Sequence, residues 1–222
     1  MKLDKNQIHI IETVLEKLGV VYVDYKYEIL DHIATEVEEK MILHTITFEE
    51  AFPEVLKKWQ SKFKKSSSVL FGYFWEMPEI LLNKCIKIYR KKLLLVFTGA
   101  MVLTSGFLLF SSFLRNHLAN FFSIATILYS VAFLLSVIGY VKIRLSKRKT
   151  SYGFLYKQQF MASVLVTFQQ LYFMNTGFER NNFSPLFSYF MIFILSLYFL
   201  LSVYSFIFYK AHFQELKRMQ YS

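Results

Sequence analysis

Cysteine, proline and glycine are all scarce in this chain: one, three and seven among 222 residues. A single cysteine, Cys85, excludes an internal disulfide and fits a reducing compartment. Beside a membrane its thiol is open to acylation or to plain packing. So few prolines and glycines leave few obligatory breaks, and long helices are expected. Arginine is missing altogether from the first 65 residues. Asp, Glu, Lys and Arg are missing from the middle of every long apolar stretch, where ion-coupled transporters, proton relays and voltage sensors place ionisable groups. No P-loop, dinucleotide glycine pattern, Cys-x-x-Cys pair or His-Glu-x-x-His motif occurs. His117 and His212 lie outside the apolar centres, too far along to serve a central nucleophile. These absences argue against an enzyme, and no catalytic residue, cofactor or metal site is assigned.

What the chain has in quantity is apolar length. Hydrophobic residues make up 55% of it, with 25 Phe and 15 Tyr concentrated in its second part. Four stretches stand out: Leu93–Leu114, Leu118–Val141, Phe154–Met174 and Leu186–Tyr209. At 1.5 Å per residue, runs of about 21–24 residues reach roughly 31–36 Å, enough for a hydrocarbon core of about 30 Å. The expected fold class is all-α: a three-helix N-terminal domain at 1–65, a juxtamembrane or interfacial linker helix at 66–92, a four-helix transmembrane bundle at 93–209 and a basic tail at 210–222. The opening MKLDKNQIHIIETVLEKLG is too polar for a signal peptide, so insertion is expected to rely on the first apolar helix.

Charge sets the expected orientation. Lys84, Lys87, Arg90, Lys91 and Lys92 precede the first stretch. Lys142, Arg144, Lys147, Arg148, Lys149 and Lys157 follow the second, and Lys210, Lys217 and Arg218 follow the fourth. The opposite side has only Arg115 and Arg180. Fourteen against two makes both termini expected in the cytoplasm, with 146 and 220 inside and 116 and 181 outside. The net charge of +10 divides into −2 for residues 1–65 and +12 for the rest. The excess therefore lies next to the bilayer, where basic residues meet anionic headgroups. A slightly acidic head does not suit nucleic acid.

The head reads as three helices. Asp4 caps the first, with Gln7 completing a capping box, and Gly19 suits the left-handed exit. Ile8, Ile11, Leu15 and Leu18 repeat at helical spacing. In the second helix, about Asp24 to Leu43, the apolar stripe is Tyr27, Leu30, Ile33, Ala34, Val37 and Met41. Thr47 and Glu50 open the third, whose buried face is Phe48, Phe52, Val55, Leu56, Trp59 and Phe63, with a kink or short first segment expected at Pro53. So small a core is marginal alone. Glu28, His32 and Glu36 are four residues apart with Asp31 adjacent, which is compatible with a helical metal site but too few converging ligands for one. A solvated interaction face for a protein partner is the simpler reading.

Between head and membrane, Leu70, Phe71, Phe74 and Trp75 follow Lys62, Lys64 and Lys65, so 69–77 either lies in the headgroup region or packs on the head. Pro78 suits a helix start. The third stretch is the most polar: Gln158, Gln159, Ser163, Thr167, Gln169 and Gln170. Gln159, Ser163, Thr167, Gln169 and Gln170 either line a pocket for a polar ligand, as in a small-molecule transporter, or bond neighbouring helices. Gly99 and Gly106 share a face and invite close approach. Self-association is compatible with such spans.

The segments YKYEILDHIATEVEEKM and TFEEAFPEVLKKW carry a resemblance. They look like the small helical head of bacterial, especially flavobacterial-type, membrane proteins, with an Asp-His-Ile helix followed by a Ser/Thr-Phe-Glu-Glu-Ala helix start. More broadly they are similar to the HAAS-type domains that precede transmembrane helices in signalling proteins. The likeness covers residues 8–63. It departs from the HAAS pattern at Ala51-Phe52-Pro53, where Gly-Asp-Pro is usual. It implies a regulatory or interaction domain without catalytic residues.

Overall fold

The computed structural model describes residues 2–109, 118–176 and 185–219, with side chains throughout except at 74, 118–123, 125–126, 165–176, 185–189 and 191. Among the described residues the chain is all-α apart from one hairpin. In order come α1 (Lys5–Lys17), α2 (Val23–His44), α3 (Phe48–Trp59), a 3-10 turn (Gln60–Phe63), β1 (Lys65–Ser68), β2 (Gly72–Pro78), α4 (Glu79–Leu109), α5 (Leu118–Leu145), α6 (Ser151–Thr176) and α7 (Pro185–Arg218). Two compact units form. One comprises Met1–Ile88, Lys147–Ser151 and Glu215–Ser222, and the other Tyr89–Ser146 and Tyr152–Gln214.

Local chemistry starts the head helices. Asp4 Oδ1 accepts from the Gln7 amide at 2.8 Å, and Gln7 Oε1 accepts from the Asp4 amide at 3.0 Å, so two orphan donors are satisfied reciprocally. At α3 the Thr47 amide donates to Glu50 Oε2 at 3.0 Å. Gly19 leaves α1 at φ +88°, and Thr45 leaves α2 at φ 52°. Pro53 sits inside α3, which is unbroken from Phe48 to Trp59, so no separate first segment forms.

The core of this unit is Ile11, Leu15, Val20, Ile29, Ile33, Val37, Met41, Phe48, Ala51, Phe52, Val55, Trp59 and Phe63. The stripe on α2 differs from the expected one. Its buried residues are Val23, Lys26, Ile29, Ile33, Val37 and Met41, whereas Tyr27 is exposed and Leu30 and Ala34 are half-buried. Lys26 causes the change: its stem lies inward while its Nζ donates to Glu12 Oε1 and Glu16 Oε1, each at 2.6 Å. Burial pulls the ammonium pKa down, but the two carboxylates outweigh it and hold it above the usual lysine value. On α1, Ile11 and Leu15 are buried while Ile8 is exposed.

Residues 65–78 are a β-hairpin and not the first part of a linker helix. β1 and β2 are antiparallel, with Lys65 opposite Pro78, Ser68 opposite Gly72 and an irregularity between Ser66 and Ser68. The turn is closed by Phe71 N–H to the Ser68 carbonyl at 3.1 Å and by Gly72 N–H to the Val69 carbonyl at 3.3 Å, with Gly72 at φ +83°. A three-residue loop ending in a left-handed glycine is a common hairpin solution. Three serines and an aromatic run favour strands over a helix. The Glu79 amide bonds the Lys64 carbonyl at 3.0 Å, and helix α4 starts there, directly after Pro78 as expected. Phe71, Met77, Leu81, Leu82 and Cys85 are all buried, so hairpin and first α4 turns extend the head core.

The second unit is helical. Three helices are long and apolar enough to cross a membrane among the described residues, over Glu79–Leu109, Ile127–Leu145 and Ile192–Arg218. The other expected stretch, Phe154–Met174, lies inside the 26-residue α6. Phe97 meets Phe193 edge-on at 5.6 Å, and Tyr140 stacks on Phe160 at 4.5 Å. Gly99 does allow close approach, since a Cβ there would stand 3.0 Å from Leu200 Cδ1, whereas Gly106 meets nothing within 4 Å among the described residues. Gly139 is tighter still, and Gly153 is as tight as Gly99. A Cβ at Gly139 would overlap the Tyr156 hydroxyl, and one at Gly153 would stand 3.0 Å from His212 Nδ1.

Candidate functional site

The first turn of α2 gathers unusual chemistry. The Val23 amide donates to the Lys149 carbonyl at 2.9 Å, and Tyr22 pairs with Lys149 as an isolated parallel bridge. One residue on, Asp24 Oδ1 accepts from the Ser151 amide at 2.8 Å, and Oδ2 accepts from the Ser151 hydroxyl. Ser151 is the first residue of α6, so a side chain 127 residues away supplies an N-terminal cap for that helix. A carboxylate at a helix N-terminus also meets the positive end of the macrodipole. Thr150 and Ser151 are fully buried here. Burial also pushes the Tyr22 phenol well above its ordinary value, with the Cys85 and Asp24 charges adding to it. No sequence signal pointed to this clasp, because neither Asp24 nor Ser151 stands out locally.

Asp24→Ala should remove both bonds and cost about 0.5–2 kcal/mol, as loss of a helix cap does. In the full chain, amide exchange over the first turn of α6 should speed up accordingly, while Asp24→Asn, which keeps an acceptor, should do less. Unchanged exchange in Asp24→Ala would show that the clasp holds nothing.

The expected interaction face on α2 is partly engaged within the head. Glu28, Asp31 and His32 are exposed. Glu28 Oε2 accepts from Lys84 Nζ at 2.6 Å, and Lys84 also stands 3.8 Å over the Tyr25 ring. Glu36 is half-buried and accepts from Trp59 Nε1 at 3.2 Å and from Lys58 Nζ at 2.9 Å. Thr35 Oγ1 bonds the Asp31 carbonyl at 2.9 Å. Among the described residues no three His, Cys, Asp or Glu side chains converge as metal ligands. Glu28 and Glu36 face lysines instead, and Asp31 with His32 remains as outward surface. Cys85 is fully buried, a packing position.

Three carboxylates in this unit, Glu16, Glu36 and Glu54, are favoured in their charged form. Hydrogen bonding and charge from Lys26 lower Glu16, and the same from Lys40 lowers Glu54. Burial would raise Glu36, but Lys58, Trp59 and Lys62 outweigh it. A lowered folded pKa contributes stability above the unfolded value of 4.5 and loses it as pH falls through the folded value. The head should therefore begin to weaken below about pH 4.5, and Glu36→Gln should flatten that acid limb in circular-dichroism melts. An unaltered limb would exclude Glu36 as a contributor.

Of the polar residues expected in the third apolar stretch, Gln159 and Ser163 are buried, and Ser163 Oγ donates to the Phe160 carbonyl at 2.7 Å. Gln159 Oε1 is buried with no hydrogen-bond partner among the described residues. The side chains of Thr167, Gln169 and Gln170 lie outside the described ones. Two groups missed in the sequence lie in the same unit. The Tyr156 hydroxyl donates to the Ser136 carbonyl at 2.7 Å, and fully buried His212 has Nε2 3.1 Å from Ser146 Oγ. Gly139 and Gly153, which admit those two rings, were the available signal.

These features define a class: an all-α chain with three helices long and apolar enough to cross a membrane, and a compact helical head. No protein-family model, curated protein or solved structure matches it.

Proposed function

We propose that this is a non-enzymatic, multi-pass protein of the bacterial inner membrane, with both termini cytoplasmic, serving as an anchor, sensor or regulatory subunit through a head that binds a protein partner. The clasp between Asp24 and Ser151 is the observation that carries the reading. Whatever displaces the first turn of α2 also uncaps α6, so a partner seated on the head has a physical route to an apolar helix. The exposed, apolar faces of the long helices, with Leu94, Val102, Leu109, Ile127 and Leu134 all outward, suit lipid as their surroundings. The fourteen-to-two distribution of basic residues supports the orientation. The HAAS-like resemblance of residues 8–63 supports a regulatory head.

Thiol labelling tests the topology cleanly, because the one native cysteine is buried. Lys147→Cys should react only from the cytoplasmic side and Asn181→Cys only from the periplasmic side. Periplasmic labelling at 147 would overturn the proposal. A second reading, a small-molecule transporter or a subunit of one, is favoured by the buried, unbonded Gln159 oxygen. Solute uptake into proteoliposomes by the wild type, lost in Gln159→Leu, would replace the first reading with the second.

A further inference from the structure

The hairpin is unevenly buried. Phe71 and Met77 turn into the head at 4% and 6% exposure, and the Pro78 ring lies 3.4 Å from where a Gly19 Cβ would be. Val69, Leu70, Tyr73 and Trp75 point outward at 74%, 42%, 69% and 52% exposure. Apolar side chains this exposed are costly in water, and the chain that leads into the hairpin carries the exposed Lys62, Lys64 and Lys65, Lys65 lying opposite Pro78 at its open end, with Glu76 the one acidic side chain of the hairpin.

We propose that the exposed residues of the hairpin rest on the anionic surface of the bilayer, Val69, Leu70, Tyr73 and Trp75 entering the headgroup layer while the lysines at its open end meet lipid phosphates. Tyr and Trp prefer that layer because an apolar ring and a polar edge are both satisfied there. Basic residues near inserted apolar side chains add attraction to anionic lipid. Packing on the head and lying on the membrane are then not alternatives, since Phe71 and Met77 serve the first and the exposed residues the second.

The inference rests on the membrane reading of the chain. Recovery of the protein in lipid nanodiscs reports on that reading, whereas Trp75 reports on this one. The chain has two tryptophans, and Trp59 is buried, so wild type minus Trp75→Phe isolates the Trp75 emission. The full-length protein is placed in nanodiscs of phosphatidylcholine, with or without phosphatidylglycerol, carrying bromine on the first third of the acyl chain. Trp75 emission should fall at least roughly twofold in the anionic discs, as expected for an interfacial ring. Lys64→Gln combined with Lys65→Gln should relieve most of that quenching. Unquenched Trp75 in both lipid mixtures overturns the proposal. So does an emission shift in lipid-free detergent that depends on protein concentration, which assigns the exposed residues to a second copy. A shift seen only on adding a soluble protein fraction assigns them to a protein partner and overturns the proposal too.

Discussion

Trp59→Ala should remove about 3–5 kcal/mol from the head, the usual cost of deleting a buried large aromatic. The indole is 6% exposed at the end of α3, stacked on Phe63 at 6.2 Å, with Lys62 Nζ 4.1 Å over its face. Its Nε1 donates to Glu36 on α2, so the substitution takes away packing and an inter-helix hydrogen bond together. Trp59→Phe keeps most of the packing and drops only the donor, for a loss nearer 1 kcal/mol. Because a domain of this size holds only about 5–15 kcal/mol in total, the alanine variant should be close to unfolding where the phenylalanine variant is not. Hydrogen exchange of α3 amides in the full chain separates the two. Equal protection in wild type and Trp59→Ala would mean that the ring is not part of the core but a surface open to a partner.

What could be read from the sequence was what is decided locally. Asp4 with Gln7, Thr47 with Glu50, and Gly19 each act within a few residues, and each lies where its spacing placed it. The last three long helices begin within three residues of their apolar stretches, because hydropathy decides where those helices start, whereas α4 begins at Glu79, well ahead of Leu93. The errors have non-local causes. Lys26 replaced Tyr27 on the buried stripe because Glu12 and Glu16 on another helix neutralise it. The hairpin escaped notice because Ser66–Ser68 shows no alternation and its fixed point is one glycine, Gly72. The clasp escaped because 127 residues separate its two side chains. Gly106 meets nothing within 4 Å among the described residues, whereas a Cβ at Gly139 would meet Tyr156, and only the position of that ring marks Gly139 out.

Cutting the chain after residue 65 should leave the three helices without a cooperative fold, whereas a fragment ending at residue 88 should melt as a unit. The first cut removes Phe71, Met77, Leu81 and Leu82, all buried. At about 1.5–3 kcal/mol for each large apolar side chain, roughly 6–12 kcal/mol of burial disappears. That is comparable with the whole stability of a small domain. The cut also takes away Lys84, which bonds Glu28, and the Glu79 amide, which closes on the Lys64 carbonyl. The longer fragment keeps all of these; of this unit it lacks Lys147–Ser151, with the clasp partners Lys149 and Ser151, and Glu215–Ser222, and loss of the clasp costs about as much as one cap. Urea melts followed by circular dichroism should show a sigmoidal transition for residues 1–88 and a broad, non-cooperative loss of helix for residues 1–65. Matching midpoints would mean that the hairpin and the first turns of α4 cover the head without stabilising it. The head would then end where its third helix ends.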